Sequence, residues 1–412
     1  MVDYSAITIG RAWAILDQML PALSDACPDI ESLTPAGDLR RVEATITTIV
    51  VVAVADDVGH AVAAVVSSKV LSSPEAAENT VIGTFRNAPI ELRFVERESY
   101  GSALFEATGS SAHVVQVRRR GLGAQPFPTE DALYSSVGLA YVEPELREGT
   151  GEVEAAATAT LPGLVAQSSM RGDLHMHTNY SDGRDPLDVM VAGAHTLGYE
   201  YIAITDHSEG AAASRTLTRE DIERQRDEIA AQRERFPGMT ILHGIEVDIL
   251  RDGRLDFEDG ILEQFDIVLA SLHDRANHSP SRLTERSLAA LRHPLVNILC
   301  HPANQLVGVS PGYALDFDAL FEAAAATGTA LEIDGAPSHM DLDGARARAA
   351  AQAGVTLSID SDCHRVEALG RQMAFGVGTA RRGWVGPQQV LNTRPLAEIR
   401  SFVAAKRRGR PA

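Results

Sequence analysis

The stretch Asp173-Leu-His-Met-His-Thr-Asn-Tyr-Ser-Asp-Gly183 gathers side chains that can do chemistry. Alternate residues of a strand share a face, so His175 and His177 are presented together where the strand gives way to a turn. With the carboxylate of Asp182 just beyond, this is a metal-ligand pattern. The same rhythm returns along the chain. Tyr201-Ile-Ala-Ile-Thr-Asp-His207 is a short aliphatic run finishing in ligand types, and Met239 to Asp248 carries Glu246 near its end. Phe265 to His273, Val296 to His301, Ala330 to Asp334 and Val355 to His364 repeat the arrangement, the last with both Asp362 and His364.

Helical segments must separate these strands for them to lie parallel. Pro186 to Tyr199 has amphipathic spacing, and Thr218 to Phe236 is a charged helix. Seven strands alternating with helices predict an α/β architecture, a (β/α) barrel, whose chemistry belongs at the C-terminal strand ends. Those are the ends where the His, Asp and Glu residues fall. The first part of the chain reads differently, as α+β. A helix over residues 1 to about 26 precedes Thr45–Ala55, a β-branched run that reads as a buried strand, and Ile90–Val95 reads as another. Residues 100 to 121 look helical with an interruption at Gly109, and Tyr141–Gly149 is extended and charged.

At 412 residues the chain is long enough for two domains, each with its own core. Hydrophobic residues make up 45% and charged residues 23%, which excludes a mostly disordered chain. A formal charge of −19 argues against broad nonspecific affinity for DNA or anionic membranes, because phosphate binding is driven by Lys and Arg. Bound divalent cations would offset part of that charge. Three cysteines without paired spacing, Cys27, Cys300 and Cys363, point away from a disulfide framework and toward a cytoplasmic setting. No apolar stretch is long enough to span a membrane, and the first residues do not read as a signal peptide.

Two family resemblances join these readings. Ala36-Gly-Asp-Leu-Arg-Arg41, Ile90-Glu-Leu-Arg93, Ala107-Thr-Gly-Ser110 with His113, and Glu143-Pro-Glu-Leu-Arg-Glu-Gly149 resemble the palm and thumb of bacterial family X DNA polymerases. That family carries three metal-binding aspartates on two strands. The matching positions here are Thr48, Val50 and Glu91, so at most one carboxylate of three remains and no nucleotidyl transfer is expected. From Gly172 nearly to the end, including Gly376-Val-Gly-Thr-Ala-Arg-Arg-Gly-Trp384, the chain resembles the PHP (polymerase and histidinol phosphatase) family of metal-dependent phosphoesterases, in the form fused to those polymerases. The implied organisation is a degenerate polymerase-like domain over 1–155, a linker over 156–170, a distorted seven-stranded PHP barrel over 171–404 and a basic tail over 405–412.

The PHP resemblance implies a trinuclear site. His175, His177, Glu246 and Asp362 would surround one divalent ion, with Glu246 bridging to a second held by His273 and His301. Asp182, His207 and His364 would hold the third. The mixed imidazole and carboxylate set suits Zn, Mn or Fe. His175, His177, Glu246 and Asp362 are the residues placed nearest the reaction. Such a site activates water for attack on phosphorus. Asp206 and Asp248 are candidates to orient ligands. Arg371, Arg381 and Arg382 are candidates to bind substrate phosphates. Asp334, where the family commonly has Asn, would bring an added negative charge toward that phosphate. His60, His113, His195, His243, His278, His293 and His339 fall outside the strand-end pattern and read as structural or surface residues, and Cys300 and Cys363, beside ligands but alternating away from them, read as packing. The expected activity is a 3′–5′ exonuclease or 3′-end processing hydrolase acting on DNA 3′ ends. The alternatives are a phosphatase of a small phosphomonoester, in the manner of histidinol phosphatases, and a non-catalytic DNA-repair accessory protein.

Overall fold

Period-two alternation along the strands of the second half decides where every side chain of its sheet goes. In the structure, a computed structural model that describes residues 6–211 and 213–408, the inward positions Leu174, Tyr201, Ala203, Leu242, Ile267, Leu269, Ile298, Cys300 and Ala330 form one buried cluster. The outward positions Ile202, Ile204, Ile241, Ile245, Val247, Val268, Leu299, Leu331, Ile333, Leu357 and Ile359 form another with the surrounding helices. Both faces are buried, as a parallel sheet requires.

Among the described residues this sheet has seven strands: Gly172–Asp173, Tyr201–Ile204, Thr240–Asp248, Ile267–Ser271, Ile298–Leu299, Ala330–Asp334 and Leu357–Asp360. They are hydrogen-bonded in sequence order, each pair parallel. The first and last strands do not form a ladder. A parallel bridge between Met176 and Cys363 joins them, with the His177 amide donating to the Cys363 carbonyl at 2.9 Å. The sheet is therefore a nearly closed barrel. Its N-terminal end is stoppered by Leu391 together with Ile399, Phe402 and Val403 of the Leu396–Arg407 helix, all in the inward cluster. The C-terminal end is left for polar side chains. Of the tail predicted at 405–412, residues 409–412 lie outside the described residues.

Helices start where the sequence supplies caps. Thr218 and Asp221 form a reciprocal capping box at the head of the Arg219–Arg235 helix, and Asp316 and Asp343 accept from the first-turn amides of the Phe317–Thr327 and Gly344–Gln352 helices.

The chain divides into two compact units, Gly163–Leu306 with Ser310–Ala412 forming the barrel unit and Met1–Pro162 with Val307–Val309 forming the other. The first unit is α+β. Its mixed sheet runs in the order Ser32–Pro35, Ile49–Val54, Ala88–Val95, Thr80–Phe85, Ser72–Ala77, and only the Ile49–Val54 and Ala88–Val95 pair is parallel. The expected strand Thr45–Ala55 is broken in two, because Thr45–Ile46 pairs instead with Ile7–Thr8. The hairpin Ser72–Phe85 was not anticipated. Its turn, Glu78-Asn79, lacks glycine, and Glu78 takes up a positive φ of 50°.

One buried amide holds the barrel's seam. Asn392 donates to the carbonyls of Gly172 (3.0 Å) and Ile359 (2.6 Å) and to Asp360 Oδ1 (3.1 Å), while its oxygen accepts from the Ile359 amide. Replacing Asn392 by Leu leaves several buried partners unpaired and is expected to cost about 2–4 kcal/mol. The check is a lowered midpoint for the barrel unit's urea unfolding transition.

Candidate metal centre

Nine side chains that the sequence placed at strand ends meet at the C-terminal mouth of the barrel. His175 and His177 face each other with their Nε2 atoms 3.1 Å apart, and Asp362 Oδ1 lies 3.6 and 3.0 Å from those nitrogens. Glu246 stands between the others. Its Oε2 is 3.5 Å from both His175 and His177 Nε2 and 2.6 Å from His207 Nδ1, while its Oε1 is 2.9 Å from His301 Nε2 and 3.5 Å from His273 Nε2. Asp182 Oδ1 approaches His207 at 3.4 Å and His364 at 3.2 Å. The imidazole of His177 is stacked between those of His207 and His364, with centroids 4.4 and 4.3 Å away.

Local backbone conformation turns consecutive residues into this space. His301 and Asp362 both have positive φ, 27° and 47°, in the left-handed region that non-glycine residues seldom occupy. The turn at His301 explains a departure from strand alternation. Cys300, expected to point away, has its Sγ 3.7 Å from Glu246 Oε1, and the thiol donates to the Ala270 carbonyl at 3.2 Å. Cys363 does pack away, in the outer cluster. The turn that carries Asp182 is tight enough to need Gly183, where a Cβ would come within 2.6 Å of the Thr178 backbone.

The donor set fits divalent cations. His207 Nδ1 and Glu246 Oε2 approach to 2.6 Å, yet neither has a hydrogen-bond partner of acceptable geometry, although both are buried. Two groups aimed at a shared point, rather than at each other, produce that pattern. Four sets of side chains, His175-His177-Asp362, His207-Glu246-His273, His177-Asp182-His207-His364 and His175-Glu246-Cys300-His301, each have their ligand atoms within 4.8 Å of one another. Ligands about 2 Å from a common ion stand at such separations.

The electrostatics point the same way. Burial alone would raise the acids Glu246 and Asp362, but the positive charge of His207, His273 and His175 holds Glu246 well below the usual range, and His175 chiefly does the same for Asp362. Asp182 is likewise lowered, burial being outweighed by hydrogen bonds from His207 and His364. Burial would lower His301, yet its bond to Glu246 and the surrounding carboxylates push it up to about 9. His177 goes down to about 4 through burial and the charges of His364 and His207. Without metal, protons on imidazoles balance the buried carboxylates, and a cation would displace them from the same lone pairs.

Surrounding groups fix the rings. Glu332 receives His175 Nδ1 at 2.7 Å on one oxygen and the His301 amide at 2.7 Å on the other, and Asp248 receives His273 Nδ1 at 2.6 Å. Glu332 was not singled out in sequence. It shares the inward face with Asp334 on the Ala330–Asp334 strand, and that alternation was the available signal. Asp206, instead of touching a ring, holds the loop after His177. It accepts from the Thr178 amide (2.8 Å) and hydroxyl (2.7 Å), the Ser181 amide (3.1 Å) and hydroxyl (2.5 Å), and Gln225 Nε2 (2.6 Å). Gln225 in turn meets His243, which lies on the outward face as its spacing from Glu246 requires.

An open cleft of about 300 Å³ over the mouth is lined by Asp182, His207, His273, His301, Asp362 and His364, with Asn304 and His339 on one wall. Arg371, Arg381 and Arg382 are not among its lining residues. The Leu369–Arg382 helix rises about 1.5 Å per residue away from the mouth, so its last turn lies at the other end of the barrel. There Arg381 donates to the Val165 carbonyl. Asp334 does not reach the cleft either. It is fully buried, and burial with the charges of Asp362 and Glu332 drives its acid well above the usual range, so a neutral carboxyl replaces the expected extra negative charge.

In the first unit, Val50 and Glu91 are register partners on adjacent strands, and Glu91 is paired with Arg93 at 2.5 Å. No group of three metal-capable side chains occurs there among the described residues.

A parallel barrel with this His, Asp and Glu mouth has the donor set of a divalent-metal site. Residues 173–308 match the family model described as PHP domain. It is 35% identical over 351 residues to the DNA polymerase/3'-5' exonuclease PolX of Bacillus subtilis (strain 168), covering 81% of this chain and 61% of that protein. That alignment is longer than the barrel unit and so runs into the first unit. A probable phosphatase of Syntrophotalea carbinolica is 29% identical over 231 residues, 53% of this chain and 90% of that protein. A probable phosphatase of Shewanella sp. (strain ANA-3) is 36% identical over 147 residues, 32% of this chain and 54% of that protein.

The role of Asp206 is testable apart from catalysis. Asp206→Ala strands the donors of Thr178, Ser181 and Gln225, a loss of about 3–5 kcal/mol. Amide hydrogen exchange at residues 177–185 is expected to speed up well beyond the change in the first unit.

Proposed function

We propose that the chain hydrolyses phosphodiesters at DNA 3′ ends, as a 3′–5′ exonuclease or 3′-end processing enzyme, and that it has no DNA polymerase activity. The observation that carries the reading is the convergence of nine metal-capable side chains at one barrel mouth under an open cleft. The relative from Bacillus subtilis, named for both polymerase and exonuclease, supports the choice of DNA. Of the three positions that match the polymerase carboxylates only Glu91 is an acid, and its pairing with Arg93 supports the loss of the polymerase half of that description. In this reading the unit is a scaffold retained from a polymerase-like domain, and the segment 156–170 links it to the hydrolase.

His175, His177, Glu246 and Asp362 would hold one divalent ion, Glu246 with His273 and His301 a second, and Asp182, His207 and His364 a third. Zn, Mn and Fe suit this mixture. Such ions supply an activated water and a positive clamp on the phosphoryl oxygens. The chain's own contribution is position and charge. Asp182, Glu246 and Asp362 stay ionised in a site that is mostly shut off from water, which draws cations in. Glu332 and Asp248 fix the tautomer of His175 and His273 by accepting a hydrogen bond from Nδ1–H, leaving each Nε2 lone pair for a ligand role. Asp206 keeps the loop bearing Asp182 folded over the mouth.

A second reading, a phosphatase of a small phosphomonoester, is favoured by the probable phosphatase of Syntrophotalea carbinolica, 90% of whose length the chain covers.

A 5′-labelled oligonucleotide with a free 3′-hydroxyl, incubated with Mn²⁺, is expected to give a ladder shortening from the 3′ end. His175→Ala and chelation should abolish it, and no nucleotide should be added when triphosphates and a primed template are supplied. Intact oligonucleotide beside rapid hydrolysis of phosphomonoesters would select the second reading. Glu332→Gln keeps the shape but releases the His175 proton partner. It is expected to weaken metal affinity by about 10–100-fold, measured by competition with a chromogenic chelator.

A further inference from the structure

On one wall of the cleft, two side chains outside the nine have spent their donors on the protein and turn acceptors toward the space. His339 places Nδ1 2.9 Å from the Gln305 carbonyl. A carbonyl only accepts, so the proton of the neutral imidazole sits on Nδ1 and Nε2 carries a lone pair. Among the described residues Nε2 has no protein partner, and it is not shut off from the cleft that His339 lines. The ring is held firmly. It stacks on His301 with centroids 5.7 Å apart, and Gln305 Nε2 ties down its loop through the carbonyls of His339 and Met340, both at 2.7 Å.

Asn304 makes the same kind of commitment. Its Nδ2 donates to the Leu272 carbonyl at 3.2 Å, which settles the orientation of the amide, and to Tyr313 Oη at 3.2 Å. The Tyr313 hydroxyl has already given its proton to the His273 carbonyl at 2.8 Å. What remains of Asn304 for the cleft is Oδ1, an acceptor.

Two fixed acceptors beside the metal-capable groups repel phosphoryl oxygens and attract a donor. We propose that His339 and Asn304 form a subsite that reads a hydroxyl on the substrate next to the scissile phosphoester, and so select ends that carry a free hydroxyl. The proposal deepens the phosphoesterase reading and rests on it. For a DNA end the group read is the terminal 3′-hydroxyl; for a small phosphomonoester it is a hydroxyl on the alcohol part. At pH 8 an imidazole of ordinary pKa is neutral, so the acceptor form applies without any shift.

The experiment measures kcat/KM at pH 8 with Mn²⁺ on two matched pairs. One is an oligonucleotide ending in a 3′-hydroxyl against its 2′,3′-dideoxy counterpart. The other is glycerol phosphate against propyl phosphate. The wild-type chain is expected to favour the hydroxyl-bearing member of whichever pair it hydrolyses by about tenfold. His339→Ala and Asn304→Ala should each shrink that ratio toward one while slowing the hydroxyl-free member little. Circular dichroism and bound-metal content of both variants report whether they fold and load. Hydrolysis with no preference in the wild type, or a preference unchanged in both variants, overturns the subsite and leaves the phosphoesterase reading standing. No hydrolysis of either pair by metal-loaded protein overturns the phosphoesterase reading and the subsite with it.

Discussion

A glutamate with no exposure to water sits among five imidazoles, and much of the barrel is arranged to make that tolerable. Burying an ionised carboxylate costs several kcal/mol unless positive charge meets it. Glu246 is within 3.5 Å of ring nitrogens from His175, His177, His207, His273 and His301, contributed by four other strand ends. No single turn or helix could bring these groups together. Only parallel strands that end side by side, with their connections on the outside, converge so many side chains on one carboxylate. The charge requirement and the topology are therefore one constraint.

The same constraint explains why the barrel interior changes character along its axis. Near the N-terminal end the inward positions are aliphatic or aromatic and are capped by Phe402 and its neighbours. Near the mouth they become Glu246, Glu332, Asp334 and Asp360, all fully buried. Such a column of acids cannot all be charged. Asp334 and Asp360 are driven up by burial and by neighbouring carboxylates, while Glu246 and Asp362 are driven down by the histidines. The two raised acids take backbone amides, Asp334 that of Ala336 and Asp360 that of Leu174, while the two lowered ones stand among the imidazoles.

The barrel and the nine convergent residues were legible because each signal was local and repeated. An aliphatic run ending in His, Asp or Glu identifies a strand and its chemical end together, and seven repeats leave little freedom. What escaped depended on contacts between distant segments. His339 looked like a surface residue because it follows its strand's end by five residues, and only the fold-back onto Gln305 stacks it on His301. Cys300 was misplaced because alternation assumes regular strand backbone, which stops at His301. Arg371, Arg381 and Arg382 were named from their place after Asp362 and His364, and sequence does not show which of them a helix brings to the cleft lining.

In the first unit a sheet stands without a cluster of metal-capable side chains among the described residues. Val50 and Glu91 remain register partners at the centre of the mixed sheet, so the strands still pair where a polymerase would hold its metal-binding carboxylates. Valine at 50 adds apolar burial and β-branched packing, and neither depends on charge. Glu91, left as the one acid, takes Arg93 as its partner and needs no ion. Elsewhere in the unit, Glu130 is fixed by Arg40 and Arg147, and His113 by Glu152 and Tyr134. Each of these charges is balanced inside the protein. In the barrel mouth Glu246 Oε2 and His207 Nδ1 lie 2.6 Å apart without a hydrogen bond, inside groups of metal-capable side chains that have no counterpart among the described residues of the first unit. Among the described residues the two units differ in whether side chains with ligand atoms converge on one space.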